Sequence, residues 1–466
     1  MDIYLNNTLT RKKERFVPNK EGEVGIYSCG PTVYWNQHIG HMYAYVQWDD
    51  LVRFLRSVGY NVKWVMNITD VGHMTSDEDT GLDKMEKGAK REGLTVWQIA
   101  DKYITQFKDS LRLLGINSPD VLCRATENIP EQIKLNQLIE KNGFAYTTKK
   151  GLIYDTSKFP DYAKFANLNL EEMKSGGDVE LDPEKKLPWD FFLWAIDPKH
   201  IMKWPSPWGE GYPGWHVECT AMSTKYLGNN FDIHTGGADH IPVHHTNEIA
   251  QGFAAFGKQT ANYWLHNGML GGKGGEKMSK SLGNFVTAQE LVEKGYDPLA
   301  MRYLILTSHY KKGLNFTFDA LDSAKIALEN LRTIVSGLKS GDERTVLSPE
   351  KEKKLDEYRD KFISSLSNDI NAPKALAVLW EMLKSNIPSG DKYDLALSFD
   401  EVLGLKLSQA RNSTAKLGAD IETPNSIKIL ISKREELRKE GKYGESDKIR
   451  EQIEEAGYEV SDAPVK

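Results

Sequence analysis

The chain is poor in cysteine. It has three in 466 residues, Cys29, Cys123 and Cys219, too few for a disulfide framework and suited to a reducing compartment. It has no apolar run of membrane-spanning length, which excludes a transmembrane helix. Met1-Asp2-Ile3-Tyr4 opens the chain without the basic and apolar stretches of a secretory leader, so a cytoplasmic protein is expected. There is no large excess of charge of either sign. The formal net charge of −6 does not mark a nucleic-acid binder, but a local basic patch would escape this total. Internal repeats and low-complexity tracts are absent as well. A hydrophobic content of 40% and a charged content of 27% describe an ordinary globular chain, and its length calls for two to four domains.

The first positive signal is at the N-terminal end. Gly25-Ile26-Tyr27-Ser28-Cys29 reads as a strand that Gly30-Pro31-Thr32 breaks. Tyr43, Val46, Trp48, Leu51, Val52 and Leu55 then recur at helical spacing, predicting a helix from near His41 to Gly59. Strand, glycine turn and helix present a helix N-terminus to phosphate. His38 and His41 sit at that point with Gly40 between them, where imidazoles could bond phosphate oxygens and a glycine leaves room for a base or ribose. A second strand is expected at Val62–Ile68 and a long helical stretch from Lys84 to Leu114. Far downstream, Lys277-Met278-Ser279-Lys280-Ser281 follows Gly271-Gly272-Lys273-Gly274-Gly275, a loop whose lysines could close on a triphosphate.

Composition divides the chain further. Residues 1–115 read as the first half of a nucleotide-binding fold, and 116–205 as an insertion holding a helix around Pro130 to Asn142. Residues 206–285 supply the second half of the fold, and 286–320 a connecting region. Residues 321–412 have the breaker-poor periodicity of a helical bundle, and 420–466 form a small charged module. Between Ser426 and Arg450 that module carries eight Lys/Arg against five Asp/Glu, with Tyr443 among them. An aromatic in a basic helical hairpin can stack on an unpaired base, though a solvated hairpin is the plainer reading.

Cys29, Cys219, His244 and Glu248 offer two thiolates, an imidazole and a carboxylate. His244 and Glu248, four apart, share a face if the segment is helical. The set suits zinc, but its spacing is not that of a zinc finger. On spacing alone, buried structural cysteines and a His–Glu pair are the better reading.

The strings SCGPTVY, HIGH, NITD, WPSPWG, PGWHVEC, HHTNEIAQ, KMSKSLGN and LNF occur in this order over nearly the whole chain. Together they resemble the cysteinyl-tRNA synthetases of class I. The resemblance implies an α/β protein: a Rossmann-type catalytic domain with an insertion, a helical bundle against the inner corner of tRNA, and a C-terminal anticodon-binding module. It implies that His38, His41, Lys277 and Lys280 serve catalysis, and that Gly40, Asp239 and Ser279 lie at ATP. Gly30, Thr69 and Trp215 would line the amino-acid pocket. Cys29, Cys219, His244 and Glu248 would hold one zinc ion that takes the substrate thiol as a further ligand. Arg438, Tyr443, Asp447 and Asp462 would read the anticodon. The partners implied are L-cysteine, ATP with Mg²⁺, and tRNA-Cys, in a monomer. Cysteine and serine differ by one atom, which size and polarity separate poorly, whereas zinc favours thiolate strongly.

The chain departs from the family pattern at Gly72-His73-Met74, which replaces an acidic pair and lysine, and at Thr246, where glutamate is common. It also ends short of a Gly-Thr-x-Trp motif. Two other readings use the same residues: a ligase joining cysteine to an amino sugar, and an inactive RNA-binding paralogue. The basic tail argues against the first, and the intact signatures and ligands against the second.

Overall fold

The computed structural model describes residues 1–72, 83–168, 184–272, 285–339 and 347–408, together with positions 430, 433, 434, 437, 442, 444 and 446–450. The chain divides into two units, Met1–Ala410 and Arg411–Lys466.

A five-stranded parallel sheet organises the first unit. Its strands are β1 (Glu23–Ser28), β2 (Asn61–Ile68), β3 (Val121–Arg124), β4 (Phe231–Gly237) and β5 (Ala261–Asn267). Their spatial order is β5-β4-β1-β2-β3. β1 and β4 pair in parallel with Ile26 opposite Ile233. Strand order reverses between them, and ligands of such sheets bind beyond the carboxyl ends of the strands at this crevice. The strands are apolar because helices cover both faces; Ile26, Trp64, Val65 and Ile233 are fully buried. The sheet takes in β3, beyond residue 115, by pairing Val65 with Val121.

Helix α1 (Ile39–Ser57) follows β1, and His38 is its N-cap. The expected single stretch from Lys84 to Leu114 is two helices, α2 (Lys84–Glu92) and α3 (Val96–Leu113). Gly93, at φ 67°, ends α2 in the left-handed conformation. A capping box between Thr95 and Gln98 then starts α3. Apolar periodicity runs through the break because both helices pack on one core, so only the local glycine and cap mark it.

The insertion contains the expected helix, Ile129–Lys141. Three of its strands, Ala145–Thr148, Gly151–Tyr154 and Phe191–Ala195, form a four-stranded antiparallel sheet with Tyr212–Pro213 just beyond it, which the sequence reading did not foresee. Helices Phe318–Lys339, Pro349–Ser367, Ala372–Lys384 and Ser389–Leu403 make up the bundle. Among the described residues, no helix is long and apolar enough to cross a membrane.

A buried ion cluster joins the bundle to α1. The Arg302 guanidinium, fully buried, meets Asp49 Oδ2 at 2.8 Å and Asp50 Oδ1 at 2.5 Å. Its Nε donates to the Leu403 carbonyl at 2.7 Å, at the end of the last bundle helix. Gly404 adjoins it at φ +65°, and a Cβ there would lie 2.8 Å from the guanidinium. Burial pushes the Asp50 carboxyl up to about 7 even against the attraction of Arg302. Replacing the cation leaves carboxylates in a dry site. Arg302→Met is expected to lower the unfolding free energy by about 3–5 kcal/mol in denaturant titration; a change below 1 kcal/mol would contradict the clasp.

Candidate functional site

The side chains of interest converge at the carboxyl ends of β1 and β4. Cys29 follows β1 directly. Cys219 lies in α4 (Trp215–Leu227), one turn past its start. His244 and His245 lie in a π-helical turn, Ile241–His245, that runs into α5 (Thr246–Phe256), which carries Glu248. Such wide turns recur at functional sites because they redirect side chains that a regular helix would splay. Here Thr246 closes the turn, its hydroxyl donating to the Ile241 carbonyl at 2.8 Å.

Cys29 Sγ lies 3.8 Å from Cys219 Sγ and 3.8 Å from Glu248 Oε1. His244 Nε2 lies 3.3 Å from Glu248 Oε1. All four residues are buried, and their donor atoms fall within 4.8 Å of one another. A second set, Cys29, His234, His245 and Glu248, meets the same limit. The two share Cys29 and Glu248, so they describe one centre. His234 Nε2 bonds Glu248 Oε2 at 3.0 Å, and His245 Nδ1 faces His266 Nε2 at 2.7 Å. Such contacts suit residues that orient ligands. Only the first set contains both thiols, and its His244 ring lies 5.2 Å from the Trp215 ring.

The chemistry of this donor set fits a metal ion. Burial pushes the thiols of Cys29 and Cys219 up and drives His245 and His266 down, holding them neutral. Two thiols and a carboxylate in a dry site gain a common purpose if a divalent cation draws off the thiol protons. His234 and His245 were missed in the sequence. The His244-His245 pair was a weak signal for one, and nothing local marked the other.

Gly30 and Thr69 flank the centre. The Gly30 N–H donates to Asn67 Oδ1 at 2.8 Å, and Thr69 Oγ1 donates to the buried Glu218 Oε2 at 2.8 Å. Trp215 is half-buried, with Lys84 Nζ 4.4 Å over its ring. Lys84 thus brings a cation to this wall. Asp239 is exposed in the short turn Ala238–His240 that leaves β4.

The first turn of α1 forms the other wall. His38 Nδ1 accepts the Gly40 N–H at 3.0 Å, so the hydrogen of a neutral ring is on Nε2. The His38 and His41 rings stack at 3.8 Å. Phe285 packs edge-on to His38, and the Ile39 N–H donates to the Val286 carbonyl at 2.7 Å. The chain just after the lysine-rich loop is therefore anchored on this turn. Lys277, Ser279 and Lys280 themselves lie outside the described residues, as do Arg438, Tyr443 and Asp462. Asp447, in the second unit, is exposed in a helical stretch.

A sheet of this order with paired imidazoles on its first helix defines a nucleotide-binding α/β enzyme, and the comparisons give its class. Residues 15–326 match the family model for the catalytic domain of class I tRNA synthetases of the cysteine type, "tRNA synthetases class I (C) catalytic domain". The structure resembles a Mycobacterium tuberculosis methionyl-tRNA synthetase bound by methionyl-adenylate, with a TM-score of 0.58 at 16% identity over 83% of this chain and 90% of that one. This likeness speaks to fold alone. The chain is 43% identical to cysteine--tRNA ligase 1 of Burkholderia lata over 100% of its own length and 96% of that protein. It is 43% identical to the cysteine--tRNA ligase of Treponema denticola over 99% and 98%. The chain belongs to the cysteine--tRNA ligase family of class I synthetases.

Gly30 supplies a test of the centre's packing. A Cβ there would lie 1.7 Å from the Asn67 carbonyl oxygen, so the backbone beside Cys29 or at Asn67 must shift. Gly30→Ala is expected to lower the melting temperature. An unchanged melting temperature would contradict this close approach.

Proposed function

We propose that this chain activates L-cysteine with ATP and transfers it to the 3′ end of tRNA-Cys. The single observation that carries this reading is the buried Cys29–Cys219–His244–Glu248 centre beside the first turn of α1. It joins a sulfur-selective donor set to a phosphate-binding helix end.

Cys29, Cys219, His244 and Glu248 would hold zinc. When bound, zinc supplies a Lewis acid that prefers thiolate sulfur to a neutral hydroxyl. The other residues bind and orient. Thr69, held by Glu218, and Gly30 face the amino and backbone groups of the amino acid, while Trp215 closes the pocket. The carboxylate then attacks the α-phosphorus of ATP, the bond to pyrophosphate breaks, and charge grows on the leaving oxygens. His38 donates from Nε2 to phosphate, and Gly40 keeps the approach open. Lys277 and Lys280 stabilise the departing charge, with Ser279 beside them and Mg²⁺ carried by the nucleotide. Asp239 borders the adenylate. In the second step a ribose hydroxyl of the tRNA attacks the acyl carbon and AMP leaves. The bundle contacts the tRNA body, and the tail, through Arg438, Tyr443, Asp447 and Asp462, reads the anticodon.

The test is charging of a tRNA-Cys transcript with labelled cysteine, ATP and Mg²⁺. Acid-precipitable cysteine is expected. Label passing to an amino sugar and never to tRNA would overturn the reading. The metal role has its own test. Cys219→Ser is expected to lose zinc and to narrow the cysteine-over-serine preference in adenylate formation by about tenfold or more. Unchanged zinc content and unchanged selectivity would contradict it.

A further inference from the structure

A second buried histidine lies outside the metal centre. His200, in the insertion, is 4% exposed. Its Nδ1 faces the Met202 carbonyl at 2.8 Å. Its Nε2 faces the Gly72 carbonyl at 3.2 Å and Asp83 Oδ2 at 3.2 Å. Carbonyl and carboxylate oxygens only accept. Both ring nitrogens thus face acceptors, an arrangement that a ring protonated on both nitrogens satisfies in full. It lies flat on Tyr212, with centroids 3.8 Å apart and planes at 14°, as a cation does on an aromatic face.

The groups around it belong to three walls of the proposed pocket. Gly72 ends the segment that carries Thr69. A Cβ on Gly72 would lie 2.2 Å from Asp83 Oδ2, so a side chain there would push the carboxylate from its present place. Asp83 is the N-cap of α2, with Oδ1 accepting from the Glu86 N–H at 2.6 Å, and the next residue, Lys84, lies over Trp215. Tyr212 begins the short strand that leads into Trp215. Glu86 is the other charge near the ring, and its Oε1 accepts from the Ile201 N–H at 2.8 Å.

We propose that His200 is a positioning residue, a buried cation that locks Gly72, the first turn of α2 and the Tyr212 strand, and so sets the wall of Thr69, Lys84 and Trp215 against which the amino acid binds. This rests on the reading of that pocket as the cysteine site. Burial works against the charged ring, but the hydrogen bond and charge of Asp83 outweigh it, so His200 titrates above the ordinary histidine value. The lock is complete below that ordinary value and is lost as pH rises through the raised one.

Two variants test this in cysteine-dependent ATP–pyrophosphate exchange from about pH 6 to about pH 9. His200→Gln removes the cation. Asp83→Asn removes its partner while keeping a good helix cap. Both are expected to raise KM for cysteine about tenfold near neutral pH, with kcat within about twofold. Relative to the variants, the wild type should show an extra rise in KM as pH increases, and the gap should close at the alkaline end. Nitrogen NMR of the wild type should show both His200 ring nitrogens protonated at neutral pH. Equal KM values, or a loss of kcat without a change in KM, would overturn the proposal. So would a bare ring nitrogen, or a His200 signal that moves on adding zinc beyond one equivalent, which would make the cluster a metal site. Absence of cysteine-dependent exchange in the wild type would instead defeat the pocket reading, and this proposal with it.

Discussion

The constraint on which this structure depends is that two thiols, an imidazole and a carboxylate share one dry space at the end of a parallel sheet. Cys29 enters from the end of β1, Cys219 from α4, His244 from a π-turn and Glu248 from α5. Each would be poorly solvated alone. Brought together they make a donor set that could hold a metal ion, with further histidines packed around it. His234 on Glu248 fixes the carboxylate, and the His245–His266 contact fixes a ring against Cys29. The fold supplies the location, because the reversal of strand order between β1 and β4 opens a crevice there.

The same crevice has a second side with different chemistry. The first turn of α1 offers a helix N-terminus and two stacked imidazoles, a setting for phosphate. In the proposed reaction, selection of the amino acid falls to the π-turn side and handling of the nucleotide to the α1 side. α1 is also the element that Arg302 fastens to the bundle through Asp49, Asp50 and the Leu403 carbonyl. The helix bearing these imidazoles and the bundle thus meet at one buried ion cluster.

What could be read from sequence depended on how local the cause was. The strand, turn and helix around His38–His41 were legible because periodicity and glycine are local signals, and α1 begins within two residues of where they predict. The metal set was not legible from spacing. Cys29 and Cys219 are 190 residues apart and meet only through the strand order; resemblance, not pattern, named them. His234 reads as an ordinary strand residue, and the sheet alone brings it to Glu248. The break between α2 and α3 was missed, although Gly93 and the Thr95–Gln98 cap were in view, because the shared apolar core carries one periodicity through both helices. Gly72 looked like a loss. In the fold it packs against the Asp83 carboxylate and the His200 ring, neither of which a local pattern could have linked to it. Lys277, Lys280, Arg438, Tyr443 and Asp462 rest on resemblance alone.

The central claim is that the buried centre recognises cysteine by its sulfur. Zinc K-edge absorption of the zinc-loaded protein, recorded alone, with cysteine and with serine, tests it most directly. The account predicts a zinc shell with the sulfurs of Cys29 and Cys219, one further sulfur when cysteine is added, and no change with serine. A sulfur shell that cysteine leaves unaltered, or zinc bound without those two sulfurs, would contradict it.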